Sequence, residues 1–283
     1  MKTLSFVCGI VLIVLVSAPP LMAADTGVKS PWEKFSFNGG LFASRSATEV
    51  RFGSGIGVEV NLEDALGMEA DTQVFRLETY WRFTKNRKHR ADFSWFSLQR
   101  TASKKITDDI TIQPPGENEE EIPIEAGTEV ESKYNMDIFQ VAYSYSFLQD
   151  DRLDFAASAG LYIMPISIGL DVTGLADEQV DQSFTAPLPA LGMRLDILLT
   201  PKWYFRSSFQ LFYIEYEDYT GSLTSTRAAV EYNPWKHVGL GLGIDSLRMS
   251  VQADDNASIP GFDLRGNVDF GYIGLYLYGR VFF

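Results

Sequence analysis

The stretch GLYLYGRVFF, residues 274–283, ends the sequence on an aromatic residue and alternates between two kinds of side chain. Ordering a chain end costs backbone entropy, so a terminal aromatic residue has to be held by a partner. Period-2 alternation predicts a β-strand, and here one face suits lipid while the other suits a polar interior. The first face would carry Ile273, Leu275, Leu277, Gly279, Val281 and Phe283, and the second Tyr272, Tyr276, Tyr278 and Arg280.

The first 24 residues have the features of a secretory signal peptide. Lys2 precedes an apolar run over residues 4–16 that is too short to cross a membrane as a helix, and Ala23 and Ala24 offer a cleavage site. Cys8 is the single cysteine, so a mature chain would lack disulfides, thiol nucleophiles and thiolate metal ligands. We expect residues 1–24 to be removed and residues 25–283 to form one domain.

Ten segments of the remaining sequence alternate with period 2. In one of them Phe75, Leu77 and Trp81 share a face, with Arg76 and Arg82 opposite. Each segment meets the roughly 9–11 residues that a tilted strand needs to cross a bilayer, and short and long connections alternate. We therefore predict an all-β fold, a transmembrane antiparallel up-and-down β-barrel of ten strands, with eight as the alternative. The segments are residues 35–47, 72–84, 89–101, 133–147, 152–167, 186–199, 202–215, 222–233, 237–251 and 267–283.

These features resemble the β-barrel outer-membrane proteins of Gram-negative bacteria over the whole mature chain. The sharpest local match is the family's assembly signal, an aromatic last residue preceded by apolar residues at alternate positions, while Gly279 departs from it. Residues 58–83 also resemble a recurrent segment of uncharacterised proteobacterial small barrels. The resemblance implies insertion into the cell outer membrane by the barrel assembly machinery, with both termini in the periplasm. The residues that match the assembly signal are Leu275, Leu277, Val281 and Phe283.

The strand faces that would point inward collect opposite charges in near balance. All the cations are arginines, whose planar guanidinium can bind a carboxylate through two hydrogen bonds. In a barrel of about eight to ten strands, side chains can meet across the bore. We predict that ion pairs take the place of an apolar core and close the lumen, with a narrow pore or uptake protein as the alternative. The predicted network is Arg76, Glu78, Arg82, Arg90, Asp92, Asp154, Arg194, Asp196, Arg206, Arg227, Glu231, Asp245 and Arg280.

The predicted long loops are strongly acidic. The chain has 37 acidic and 24 basic residues, and an acidic surface repels nucleic acid. Residues 117–121 read ENEEE, and carboxylates of this kind suit Mg²⁺ or Ca²⁺, which prefer oxygen ligands. The predicted partners are outer-membrane lipid and lipopolysaccharide, the latter bridged through divalent cations. We expect a monomer without a cofactor.

A surface enzyme is a further alternative. Ten-stranded barrels include the omptin proteases, and other barrels modify lipid A; such a resemblance implies a histidine at the outer rim. His89 and His237 both lie beside short connections, which the predicted topology places at the periplasmic end. We therefore predict no catalytic, cofactor or metal site, and we expect a structural or surface-interaction role.

Overall fold

The computed structural model describes residues 30–52, 60–61, 63, 67–105, 110–112, 122–172, 179–216, 219–253 and 266–283, so the predicted signal peptide lies outside it. No helix in the described residues is long and apolar enough to cross a membrane. The strands of this part of the chain are β1 (Phe35–Phe52), β2 (Val60–Asn61), β3 (Asp71–Arg82), β4 (His89–Lys105), β5 (Ile110–Ile112), β6 (Ile122–Ile124), β7 (Glu129–Gln149), β8 (Leu153–Val172), β9 (Gln179–Thr200), β10 (Trp203–Tyr216), β11 (Tyr219–Tyr232), β12 (Val238–Ala253) and β13 (Gly266–Phe282).

Ten of these strands form a closed antiparallel barrel. Their order is β13, β12, β11, β10, β9, β8, β7, β4, β3 and β1, and β1 pairs with β13 from Ser36 opposite Phe282 to Phe52 opposite Gly266. The short β2 pairs with β1, and β5 pairs with β6 in a separate hairpin. The predicted fold class is confirmed with ten strands, and the alternative of eight is wrong.

Several strands are longer than the sequence analysis expected. β7 has 21 residues and β9 has 22, about twice the length that crosses a bilayer. The additions lie mostly at the end of the barrel that carries the long connections, which we call the loop end. The opposite end, with the short turns and Phe283, is the turn end. The interval between the predicted segments 202–215 and 222–233 is mostly strand in the described residues, where Tyr216 pairs with Tyr219.

An apolar belt surrounds the outer wall next to the turn end. Leu275 and Leu277 on β13 are 56 % and 59 % exposed, and Leu41 on the neighbouring β1 is 62 % exposed. A continuous band of such residues on alternate positions is typical of a wall that faces lipid. Exposed aromatic rings border the belt at the turn end, as in the girdles of membrane barrels. They include Trp81, Tyr143, Tyr145, Trp203 and Trp235.

Towards the loop end, the wall exchanges its inside and outside polarity. The outward positions there are polar, including Asn135, Ser167 and Arg248, while the side chains between them are buried and apolar. This arrangement is that of a water-soluble antiparallel sheet with one solvated face. The expectation that ion pairs take the place of an apolar core therefore holds only at the level of the belt. The loop-end core contains Phe96, Leu98, Met136, Ile138, Met164, Ile166, Leu188, Leu247, Met249, Val268 and Phe270.

Candidate functional site in the barrel lumen

Arginines and carboxylates meet inside the barrel at the turn end, in what we call the turn-end charge cluster. Asp196 on β9 is its hub and is 1 % exposed. Its carboxylate lies 3.2 Å from Arg82, 3.3 Å from Arg90 and 3.1 Å from Arg206, and it also pairs with Arg194. The members of the cluster are Arg82, Arg90, Arg194, Arg206 and Arg280 with Glu33, Asp92, Asp154, Asp196 and Glu231.

Ion pairs in this cluster connect strands that are not neighbours in the sheet. Arg82 on β3 lies 2.5 Å from Asp154 on β8, although β4 and β7 separate these strands. Arg280 on β13 likewise pairs with Glu231 on β11, and β12 lies between these strands. Buried charges are tolerated when they are paired and hydrogen-bonded, so the cluster ties opposite sides of the wall together.

A second group, the mid-lumen cluster, lies farther from the turn end. It consists of Arg76, Glu78, Arg227 and Asp245, and each arginine lies between both acids. Glu78 is 2.8 Å from Arg76 and 2.6 Å from Arg227, while Asp245 is 3.2 Å from Arg76 and 2.8 Å from Arg227. Tyr272 also donates to Asp245 over 2.7 Å. The thirteen charged residues singled out in the sequence are thus all in the lumen, but in two clusters.

Glu33 is a lumen residue that the sequence analysis missed. It precedes β1, yet its carboxylate lies 3.0 Å from Arg206 and 2.9 Å from Arg280, and Tyr80 donates to it over 2.9 Å. Burial alone would raise the pKa of Glu33, but Arg206 and Arg280 outweigh this and hold the pKa well below its ordinary value. Glu33 adds a seventh carboxylate to the six predicted ones, which matches the seven arginines of the predicted network.

The residues around Glu33 fill the turn end of the bore, and we call residues 31–33 the N-terminal plug. Trp32 is 1 % exposed, and its indole donates to the carbonyl of Asp150 over 2.7 Å. The Trp32 carbonyl accepts a hydrogen bond from Arg87, and Tyr204 donates to the carbonyl of Pro31 over 3.3 Å. Three separate parts of the barrel therefore hold the plug.

A small polar cavity of about 110 Å³ lies between the two clusters. Gln140 and Gln210 line it, and Gln140 donates to Gln210 over 2.6 Å. Tyr162 donates to the same Gln210 oxygen over 2.7 Å. Its lining includes Ser94 and Ser158. A polar space of this size has room for several bound waters.

At the loop end, Glu63 and Met68 from the connection between β1 and β3 contact the inside of the barrel. Glu63 accepts a hydrogen bond from the amide of Thr48 over 2.9 Å and forms an ion pair with Arg100. Arg100 also donates to the Thr48 hydroxyl over 2.6 Å and lies 4.6 Å above the ring of Tyr134. Met68 is buried against the loop-end core. Glu63 and Met68 follow no strand periodicity and were not predicted, whereas Arg100 lies on the inward face of β4.

The last residue is held by the first strand. The Phe283 amide donates to the carbonyl of Phe35 over 2.9 Å, and the Phe283 carbonyl accepts from the amides of Lys34 and Phe35 over 2.6 and 3.1 Å. Its ring stacks on His237 with the centroids 5.0 Å apart. The other residues of the predicted assembly signal, Leu275, Leu277 and Val281, are exposed on the belt. Their role in assembly stays a prediction.

The two histidines are on different sides of the barrel. His89 on β4 lies 2.6 Å from the Tyr143 hydroxyl, and His237, just before β12, lies 2.9 Å from the carbonyl of Phe282. β3, β1 and β13 separate the two strands. The structure therefore does not bring the histidines into one site.

No protein-family model matches the sequence, and no curated protein matches it. Among solved structures, the outer membrane protease OmpT from Escherichia coli is similar, with a TM-score of 0.51 and 9 % identity over 92 % of this chain and 99 % of that chain. OprG from Pseudomonas aeruginosa has a TM-score of 0.35 at 10 % identity, over 90 % and 98 % of the two chains. Ail from Yersinia pestis has a TM-score of 0.32 at 9 % identity, over 87 % and 97 %.

The likeness to OmpT shows the fold. The chain has the closed ten-stranded barrel of outer-membrane proteins. The apolar belt on its outer wall is the surface that such a barrel presents to lipid. The protein is thus an integral β-barrel of the outer-membrane type.

Proposed function

We propose that the protein is a barrel of the cell outer membrane whose lumen is closed to solutes and whose role is structural or surface-interactive. In this proposal the turn end and both termini are periplasmic, and the loop end faces the outside. Short periplasmic turns and longer external loops are usual in such barrels. The inward-folded contacts at both ends, around Glu33 and around Glu63, support a bore that is closed.

The observation that carries the proposal is the position of Glu33. This residue comes from outside the strands, fixes the N-terminal plug to Arg206 and Arg280, and brings the lumen charges to balance. Withdrawing it would leave two buried guanidinium groups short of a partner, which is costly. An ion-conducting pore would more naturally carry one dominant sign of charge.

The acidic loops are the proposed interacting surface. The ENEEE stretch, residues 117–121, lies outside the described residues, so its contribution rests on sequence alone. We propose outer-membrane lipid and lipopolysaccharide as partners, with divalent cations between loop carboxylates and phosphates, because hard cations prefer oxygen ligands. OmpT is a protease, but a likeness of fold carries no chemistry to this chain.

Recording from planar lipid bilayers tests the closed lumen. We expect the purified protein to give no steady ohmic conductance. A variant without the plug side chains, Trp32→Ala with Glu33→Ala, should show brief openings, while the matched change at the exposed neighbour Lys34→Ala should not. Regular, long-lived conductance steps from the unchanged protein would overturn the proposal and favour the narrow pore.

A further inference from the structure

The outer wall carries a groove immediately beyond the apolar belt. Strands β11, β12, β13 and β1 form it, and its volume is about 650 Å³. Small side chains such as Ala47, Ser246 and Ser250 form its floor, where Gly271 adds no side chain at all. Two long cationic side chains, Arg45 and Arg248, lie in the same lining. The groove therefore combines small, hydroxyl and apolar side chains with two arginines in one lining.

These two arginines differ from the arginines of the lumen. Arg45 and Arg248 are exposed, and neither forms an ion pair with any described residue, whereas every lumen arginine is paired. The acid in the lining is Asp269, which accepts a hydrogen bond from Asn267 over 2.7 Å. Asp71 lies opposite Arg45 in the β1–β3 register without an ion pair. The lining therefore has a net charge of +1, from the two arginines and Asp269.

The position of the groove, directly beside the apolar belt, indicates what kind of anion fits it. On β13, Gly271 lines the groove and Ile273 and Leu275 follow directly below it, 53 % and 56 % exposed on the belt. On β12, Arg248 and Ser246 are followed by the exposed Ile244. One molecule could thus place acyl chains on the belt and an anionic headgroup among the arginines.

We propose that this groove binds a phosphate group of a phosphorylated glycolipid of the outer leaflet. The guanidinium groups of Arg45 and Arg248 bind the phosphate oxygens, since arginine matches phosphate with two parallel hydrogen bonds. Hydroxyl groups of Ser246 and Thr224 face the same space and can bind sugar or phosphate oxygens. The proposal rests on the proposed orientation, with the loop end outside, and adds a defined site to the proposed lipid partner.

Native mass spectrometry of the full-length barrel in detergent provides the test. The probes are bisphosphorylated lipid A, the same lipid after enzymatic removal of both phosphates, and inorganic phosphate. The variant is Arg45→Gln with Arg248→Gln. The matched control is Lys105→Gln with Lys133→Gln, which removes two outward charges from β4 and β7, away from the groove around the barrel. Heat-modifiable mobility in gels confirms that both variants fold.

We expect the unchanged protein to retain lipid A and to lose it when the phosphates are removed. The Arg45 and Arg248 variant should bind lipid A at least about tenfold more weakly, because charged hydrogen bonds contribute about 1.5 kcal/mol or more each. Arg45→Lys with Arg248→Lys should restore part of the binding. Equal loss in the lysine control, equal binding of dephosphorylated lipid, or competition by millimolar phosphate would each overturn the proposal. None of these outcomes depends on whether the bore conducts.

Discussion

Replacement of Asp196 by Asn tests the turn-end charge cluster most directly. The change keeps the size of the side chain and removes one negative charge that four buried guanidinium groups share. With Glu33 included, the cluster holds five arginines and five acids, so the variant leaves it with a net charge of +1. The matched control is Asp171→Asn on β8, the same chemical change at an exposed position.

The expected cost follows from the burial and the number of partners. Removing one partner of a buried ion pair costs about 3–5 kcal/mol, and we expect Asp196→Asn to reach at least this range because several arginines lose the same carboxylate. Exposed substitutions change stability by about 0.5 kcal/mol or less, which is the expectation for Asp171→Asn. Adding Arg90→Gln to Asp196→Asn restores charge balance and should recover about 0.5–3 kcal/mol, the usual size of coupling between residues in contact.

The free energy of unfolding can be measured by urea titration of the barrel in lipid vesicles, followed by tryptophan fluorescence at pH 7. A destabilisation below about 1 kcal/mol for Asp196→Asn, well short of the range for buried pairs, would refute the reasoning. So would an additive loss in the double variant, since additivity would mean that Arg90 and Asp196 do not interact.

Three other predictions concern the plug, assembly and topology. Arg206 and Arg280 hold the pKa of Glu33 below its ordinary value of about 4.3, so its contribution to stability is complete above that pH and is lost as the pH falls towards the depressed pKa. Glu33→Gln should therefore destabilise the barrel at pH 7. In urea titrations, the difference in the free energy of unfolding between the variant and the unchanged protein should shrink between about pH 4 and pH 2. A difference that grows over this range would contradict the prediction. Deleting Phe283 should reduce folded, heat-modifiable protein in outer-membrane fractions, because the last strand closes the barrel edge, and unchanged amounts would count against an assembly signal. A cysteine at residue 118 should react with an impermeant reagent on intact cells and one at residue 86 should not, and labelling of residue 86 alone would reverse the proposed orientation.

The strands and the lumen charges follow from the sequence because they obey one simple period. Each residue of a strand has a predictable face once one neighbour is placed, so Asp196 and Arg194 could be assigned to the interior from Leu195 and Met193 alone. The closure of β1 on β13 also follows, since an even set of antiparallel strands with apolar outer faces leaves no other way to remove the edges.

Glu33 and Glu63 could not be predicted in this way. Both belong to segments outside the barrel strands, where no periodicity relates a residue to a face, and each is placed by its partners in three dimensions. Glu33 is held by Arg206 and Arg280, which follow it by more than 170 residues. A charge count offered a signal for Glu33, because the six predicted acids left one of the seven predicted arginines without an equivalent. The inward position of Arg100 on β4 offered a similar signal for Glu63.

The exchange of polarity along the wall explains why the strands exceed the length of a membrane crossing. On β1, the inward Phe42 joins the buried aromatic residues, and the outward face changes from Ala43 to Arg45 one step later. The period of two is unchanged, so only the identity of the residues on each face marks where lipid ends and water begins.

Arg76 lies where the two kinds of interior meet. Its guanidinium edge pairs with Glu78 and Asp245 in the mid-lumen cluster, while its flat face lies 4.8 Å from the ring of Phe96 and 5.0 Å from that of Phe42. A planar cation can satisfy carboxylates at its edge and aromatic rings at its face at once, which a lysine ammonium cannot do equally well. Arg76 therefore connects the ion-paired part of the interior to the apolar part without leaving its charge unpaired. The same strands can then face lipid on the outside at the belt and water towards the loop end.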